Sequence, residues 1–162
     1  MKVCEKRIRF VTSLLVLYCM SLLSCATADP VLDSSAIQGH WVGRGDIIVT
    51  WCNQDQLSFD IFISDDRLVR GRIGDATIID GHVYRRSSFM RNTGNGNYIV
   101  RANLQGFLVK EERIARDSIA FMFDLVNGSI EGEMNTSGSK CGTRDRMYMK
   151  VANIILNRVE GE

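Results

Sequence analysis

The sequence predicts an all-β domain, a closed antiparallel barrel of about eight strands, behind an N-terminal export signal. Three observations predict it. Apolar and polar residues alternate along much of the chain, the period of a half-buried strand. The alternating runs are short and are bounded by Gly, Asp or Asn, as in an antiparallel barrel or, less well, a sandwich. The first 25 residues order a basic head, an apolar middle and a small-residue exit.

That leader is read first. Lys2, Lys6, Arg7 and Arg9 stand against one acid, Glu5, and residues 10–23 are uncharged and rich in leucine. The run holds 14 residues, whereas a membrane-spanning helix needs about 20, so cleavage is expected rather than a retained anchor. Two cleavage sites compete. Leu22-Leu23-Ser24-Cys25 resembles a bacterial lipobox, which would lipidate Cys25 and remove residues 1–24 as signal peptide. Ala26-Thr27-Ala28 before Asp29 suits ordinary signal peptidase. Residues 25–36 then form a tether holding the only proline, Pro30, and residues 37–159 form the domain.

The first 28 residues hold four of the 20 basic and one of the 19 acidic residues, so the 134 residues from Asp29 carry a net charge of −2. That is one domain's length, with no field strong enough to gather nucleic acid or anionic lipid. The membrane is reached by a lipid anchor only.

The strands follow in order. Residues 41–51 form the first β-rich run. In residues 56–64, Leu57, Phe59, Ile61 and Ile63 share one face, with Phe62 as the exception on the other. Further runs lie at 67–73, 77–84, 98–104 and 106–110, and residues 92–97 are a loop by composition. Residues 117–126 alternate through Ile119, Phe121, Phe123 and Leu125, and Asn127-Gly128 is a strong hairpin signal leading into a return strand from Ser129. Residues 145–159 read as a strand through Met147, Met149 and Val151, but Ile154-Ile155-Leu156 breaks the alternation in a way that would also suit a helix.

Gly39, Trp41, Gly43 and Gly45 make a G-x-W-x-G-x-G sequence that resembles the opening strand of calycin barrels, lipocalins and their smaller relatives. The resemblance implies a lipocalin-like barrel. Its first strand bends to close the sheet, glycine permits the bend, and tryptophan plugs the closed end. It also implies that an arginine near the C-terminus covers Trp41, with Arg144, Arg146 and Arg158 as candidates. Nitrobindin-like haem barrels share the motif but hold haem through a histidine near the C-terminus. This chain has only His40 and His82, so haem is not carried over and no cofactor is implied.

Catalytic chemistry is thinly supplied. Gly128-Ser129-Ile130-Glu131-Gly132 is not a nucleophile elbow, and phosphate loops, H-E-x-x-H and EF-hand spacings are missing. His40 and His82 read as surface or turn residues. Asp75 and Asp80 are paired-carboxylate candidates only in principle, because aspartate beside glycine is ordinary turn chemistry. Arg67, Arg70, Arg72, Arg85, Arg86 and Arg91 cluster in sequence, near enough to Asp60, Asp65, Asp66 and Asp80 to form a solvated outer face. No metal site is expected, and there is no C-x-x-C. Once the leader has gone, Cys52 and Cys141 remain as a pair for an oxidising compartment, and a disulfide between the first and last strands is expected of them.

The sequence thus points to a non-catalytic binding module of the bacterial cell envelope or periplasm, taking a small apolar ligand or an envelope protein as partner. The alternative is an inhibitor of a secreted hydrolase, or a weak hydrolase. A filled barrel would favour surface recognition and an open one a ligand inside. Intact-mass analysis of the exported protein is expected to find its N-terminus at lipidated Cys25 or at Asp29, and retention of Met1 in most of the protein would contradict the leader. Cys25→Ser should release a lipoprotein from the membrane fraction and leave a soluble protein unaltered.

Overall fold

The computed structural model describes residues 34–86, 96–139 and 146–160. Alternation decides the inside. In β2 (Gln56–Ile63) every second residue is buried, and Phe62 is turned outward and half exposed. A short 3-10 turn (Ser34–Ala36) precedes β1 (Gly39–Ile47). After β2 come β3 (Leu68–Ile73), β4 (Ala76–Arg85), β5 (Tyr98–Gln105), β6 (Phe107–Val109), β7 (Ile114–Ala115), β8 (Ser118–Val126), β9 (Ser129–Ser139) and β10 (Arg146–Val159).

Eight of these close a barrel in the order β1-β10-β9-β8-β5-β4-β3-β2. Every pairing is antiparallel, and each strand lies beside the next along the chain once the small β6–β7 hairpin is set aside. β1 and β10 complete the ring, His40 facing Val159 and Ile47 facing Val151. This is the expected architecture, and it is compatible with a calycin-like barrel.

Three local features differ from expectation. The first strand stops at Ile47, so Cys52 lies in the β1–β2 loop rather than at a strand end. Residues 114–115, which lie outside every expected run, form β7 and pair back on β6. Asp80-Gly81 is a bulge inside β4 rather than a turn, with Asp80 at φ 53°. The ambiguous C-terminal segment is a strand. Its broken alternation is a second bulge, where Asn153 takes φ 50° and its amide donates to Asp46 Oδ2 at 3.0 Å. Ile154 and Leu156 thereby both face the core while Ile155 faces out. The Asn127-Gly128 turn has positive φ at both residues, the primed geometry that suits strand twist.

The glycines of the opening motif are explained by closure. A Cβ at Gly43 would lie 2.0 Å from the Ile155 carbonyl oxygen, so only glycine lets β1 approach β10 there. Gly39 takes φ 128° beside the Arg158 side chain, and Gly45 packs on Ile154 and Val151. Trp41 is fully buried and its indole N–H donates to the Ile37 carbonyl at 2.9 Å. Arg158 is the covering arginine: its guanidinium lies 4.8 Å from the Trp41 ring centroid and donates to the Ala36 carbonyl at 2.6 Å. Together Ile37, Trp41 and Arg158 shut one end of the barrel.

The core is filled between the ends. Phe59, Phe121 and Phe123 form a chain of ring contacts at 5.8 and 5.2 Å, and Leu57, Ile61, Ile73, Ile130 and Met134 are buried around them. At the far end, where β1, β3, β5 and β9 finish, the β6–β7 hairpin folds over the mouth. It buries Leu108, Val109 and Ile114 in the core. The Leu108 carbonyl accepts from the Asp75 backbone N–H at 3.3 Å, and Glu112 accepts from the backbone N–H groups of Asn53 and Gln54 at 2.8 and 3.2 Å. Because β1 and β2 lie opposite β5 and β8 in the ring, the Glu112 bonds reach across the opening.

Arg158→Ala removes an exposed cation–π contact and a charged hydrogen bond, and should lower stability by about 1–2 kcal/mol. Arg158→Lys should recover only part of it, because a point charge does not cover the indole face. Denaturant midpoints of the three proteins check this, and an unchanged midpoint for the alanine variant would show that Trp41 closes the end alone.

Candidate functional site

The polar face that the folded chain leaves available runs across β4, β5, β8, β9 and β10. Register places His82 beside Arg101, Arg101 beside Ala120, Ala120 beside Asn135 and Asn135 beside Lys150, all pointing outward. In the next outward row Asn103, Ser118, Ser137 and Tyr148 follow one another. The small Ala120 side chain leaves a depression between taller neighbours. The result is an open cleft of about 480 Å³, with Tyr84 and Asp80 on its β4 margin and Tyr148 on its β10 margin.

Its groups are held by strands and largely unused by the protein. Among the described residues the side chains of Asp80, Arg101, Asn103 and Asn135 make no hydrogen bond or ion pair. The Ser118 and Ser137 hydroxyls lie 3.0 Å apart in a mutual hydrogen bond. Tyr84 is 50% and Tyr148 66% exposed, and Tyr84 packs its ring on His82 at 6.3 Å. Thr136 also lines the cleft, and its buried Oγ1 has no partner among the described residues. One acid and one arginine face the cleft, so its field is weak.

A second cleft, of about 560 Å³, lies over β8, β9 and β10 around Asp124, Glu131 and Glu133. Its chemistry is more nearly spent. Glu133 pairs with Lys150 at 2.8 Å, and Asp124 accepts from the Asn97 backbone N–H at 2.8 Å.

The residues singled out from sequence do not converge on one site. His40 Nε2 lies 2.6 Å from Asp60 Oδ1 on the outer face of β1 and β2, and no hydroxyl or thiol bonds to that imidazole among the described residues. Asp75 sits beside Arg72 at 3.8 Å while Asp80 belongs to the cleft, so they form no carboxylate pair. Of the clustered arginines, Arg72 has that acid beside it, and Asp60, an expected partner, is taken by His40. Among the described residues no group of three His, Cys, Asp or Glu side chains stands close enough to hold a metal ion. Cys25, Arg91, Cys141 and Arg144 lie outside the described residues.

Cys52 carries a free thiol, so the expected disulfide with Cys141 is not formed in this structure. The loop instead bonds to the hairpin: Cys52 Sγ lies 3.7 Å from Glu112 Oε1. Burial pushes the Cys52 thiol up from its ordinary range, and the Glu112 carboxylate adds to the rise. Next to it the Arg116 guanidinium lies 5.2 Å from the Trp51 ring centroid and donates to the Ala115 carbonyl at 2.8 Å. Arg116 is nearly buried, and burial pulls its pKa down.

Sequence reading missed the cleft, apart from noting Asp80 for a different role. Its residues are scattered from 80 to 148 and meet only through strand register. A signal existed in principle: outward positions of successive strands carry amides, hydroxyls and tyrosine rather than the usual lysine and glutamate. Compared with protein-family models, with curated proteins and with solved structures, the chain matches none.

Glu112→Gln removes a negative charge beside Cys52 and weakens the bonds that hold the hairpin. Both effects should favour the thiolate or its exposure, so iodoacetamide should alkylate Cys52 several-fold faster at a fixed pH near 7.5. Mass spectrometry of the Cys52 peptide measures it, and an unchanged rate would show that Glu112 neither shields nor disfavours the thiolate.

Proposed function

We propose that the protein is an exported, non-catalytic binding module that recognises its partner on the outer wall of the barrel, at the cleft between Tyr84 and Tyr148. One observation carries this reading: the interior is packed with side chains and shut at both ends, by Trp41 and by the β6–β7 hairpin. An interior of that kind offers little room to a ligand without unpacking core residues, which costs several kcal/mol at about 2–5 for each large side chain displaced. Recognition therefore falls to the surface, where unused polar groups are gathered on rigid strands.

Export is part of the proposal. The basic and apolar leader supports delivery to the cell envelope, with Cys25 as a lipid anchor or residues 29 onward released as a soluble protein. The calycin-like kinship also belongs here: the Arg158–Trp41 closure and the next-neighbour barrel support it. Non-catalytic action is supported by the placing of His40 on β1 and His82 on β4, with no hydroxyl or thiol bonded to either imidazole among the described residues.

Two measurements test the site. Titration with a fluorescent apolar probe such as cis-parinaric acid is expected to show no saturable uptake by the folded protein. Ala120→Trp, which fills the cleft from outside the core, is expected to abolish retention on an envelope preparation that the unaltered protein binds. Saturable uptake of the probe, with shifted resonances for Phe121 and Leu57, would move the binding site into the barrel and overturn the proposal.

A further inference from the structure

The chemistry of the cleft is specific enough to choose among occupants, on the reading that the cleft is the binding surface. We infer that it takes an uncharged oligosaccharide segment several sugar rings long, with Tyr84 and Tyr148 as stacking platforms at its margins and Arg101, Asn103 and Asn135 as hydroxyl-binding groups.

Shape comes first. The lining residues lie on five neighbouring strands of the curved barrel wall, so the footprint runs around the wall rather than into it. A compact apolar ligand would leave most of it wet, while an extended chain of rings would follow it.

The side chains agree with that shape. A sugar ring has an apolar face of C–H groups and a rim of hydroxyls. The exposed ring of a tyrosine matches the face, and its phenol still reaches water. Tyr84 and Tyr148 are held on β4 and β10, the two outermost strands of the five, and are 50% and 66% exposed. Between them, each amide of Asn103 and Asn135 both donates and accepts, as a hydroxyl does, and the Arg101 guanidinium can span two vicinal oxygens. All three are unengaged among the described residues. Exposed polar groups ordinarily bond water. What distinguishes these is convergence on one floor, with Ala120 recessed at its centre.

Charge separates this ligand from the others. The lining holds one acid, Asp80, and one arginine, Arg101, so neither a polyanion nor a basic peptide finds a matching field. A protein partner would need an apolar centre to exclude water. Here Ala102, Ile119 and Ala120 are interleaved with Arg101, Asn103, Asn135, Ser118 and Ser137, a mixed lining that suits a hydroxyl-rich ligand with apolar ring faces and bridging waters better.

The test uses the mature protein labelled with nitrogen-15 and four probes: chitotetraose, cellotetraose, maltotetraose and a heparin tetrasaccharide. At least one neutral tetrasaccharide should shift the backbone amides of Ala120, Asn103 and Asn135 saturably at millimolar concentration or below. Tyr84→Ala and Tyr148→Ala should each weaken that binding by about tenfold or more, whereas Phe62→Ala, on the outer face of β2, should leave it unchanged. The tyrosines are exposed, so circular dichroism should report all three variants folded. If no neutral saccharide shifts the cleft amides, or if binding is indifferent to both tyrosines, the oligosaccharide is wrong. A heparin fragment bound in preference to the neutral ones would likewise overturn it. An envelope partner still lost on Ala120→Trp would then leave the surface reading standing, whereas saturable interior uptake of cis-parinaric acid would remove both.

Discussion

The fold depends on joining its first strand to its last. β1 and β10 pair over most of β1, and their approach is so close at Gly43 that a methyl group would collide with the Ile155 carbonyl. Without that join the sheet would expose two unpaired edges and its apolar inner face. The same seam positions the other devices of closure. The bulge at Asn153 turns Ile154 and Leu156 inward, the Asn153 amide holds Asp46 on β1, and Arg158 reaches back over Trp41 to the Ala36 carbonyl. One glycine contact, one left-handed asparagine and one arginine thus convert a meander into a closed wall.

Closing the wall this tightly leaves little inside it. An eight-stranded barrel is just wide enough to be filled by its own side chains, and here phenylalanine rings and branched residues fill it while a tryptophan and a hairpin cover the ends. A closed interior is the reason recognition is proposed for the outer surface. It also gives that surface stiffness, because outward residues stand on strands whose inward neighbours are locked in a packed core. Arg101, Asn103 and Asn135 alternate with Ala102, Leu104, Met134 and Thr136 in this way.

Most of the fold was legible because its physics is local. Alternation in residues 56–64 and 117–126 placed the buried faces, Asn127-Gly128 placed a hairpin, and the glycine–tryptophan opening pointed to closure and to a covering arginine, which is Arg158. What escaped was decided by register. Bulges at Asp80 and Asn153 interrupt alternation without ending a strand, so the first read as a turn and the second as a strand-or-helix ambiguity. β7 is two residues long and lies in a charged stretch, too short for any period to show. The cleft was invisible for a related reason. Its residues acquire meaning only when β4, β5, β8, β9 and β10 are laid side by side. The expected disulfide rested on the pairing of first and last strands, which holds, and on Cys52 ending a strand, which does not.

The seam also has a consequence in time. Arg158 and its Ala36 acceptor are 122 positions apart, so the contact that locks the plug is among the last the chain can make. A chain emerging from a ribosome, or threaded through a translocation pore, exposes β1 and its partnerless edge until β10 has followed. Topologies dominated by such distant pairings fold slowly, in milliseconds to seconds. On the export route proposed above, that delay is useful before the membrane and hazardous after it. It keeps the chain threadable during transit, and it leaves an apolar sheet open to aggregation until the last strand arrives. The order in which the termini emerge thus sets when the apolar face is finally covered.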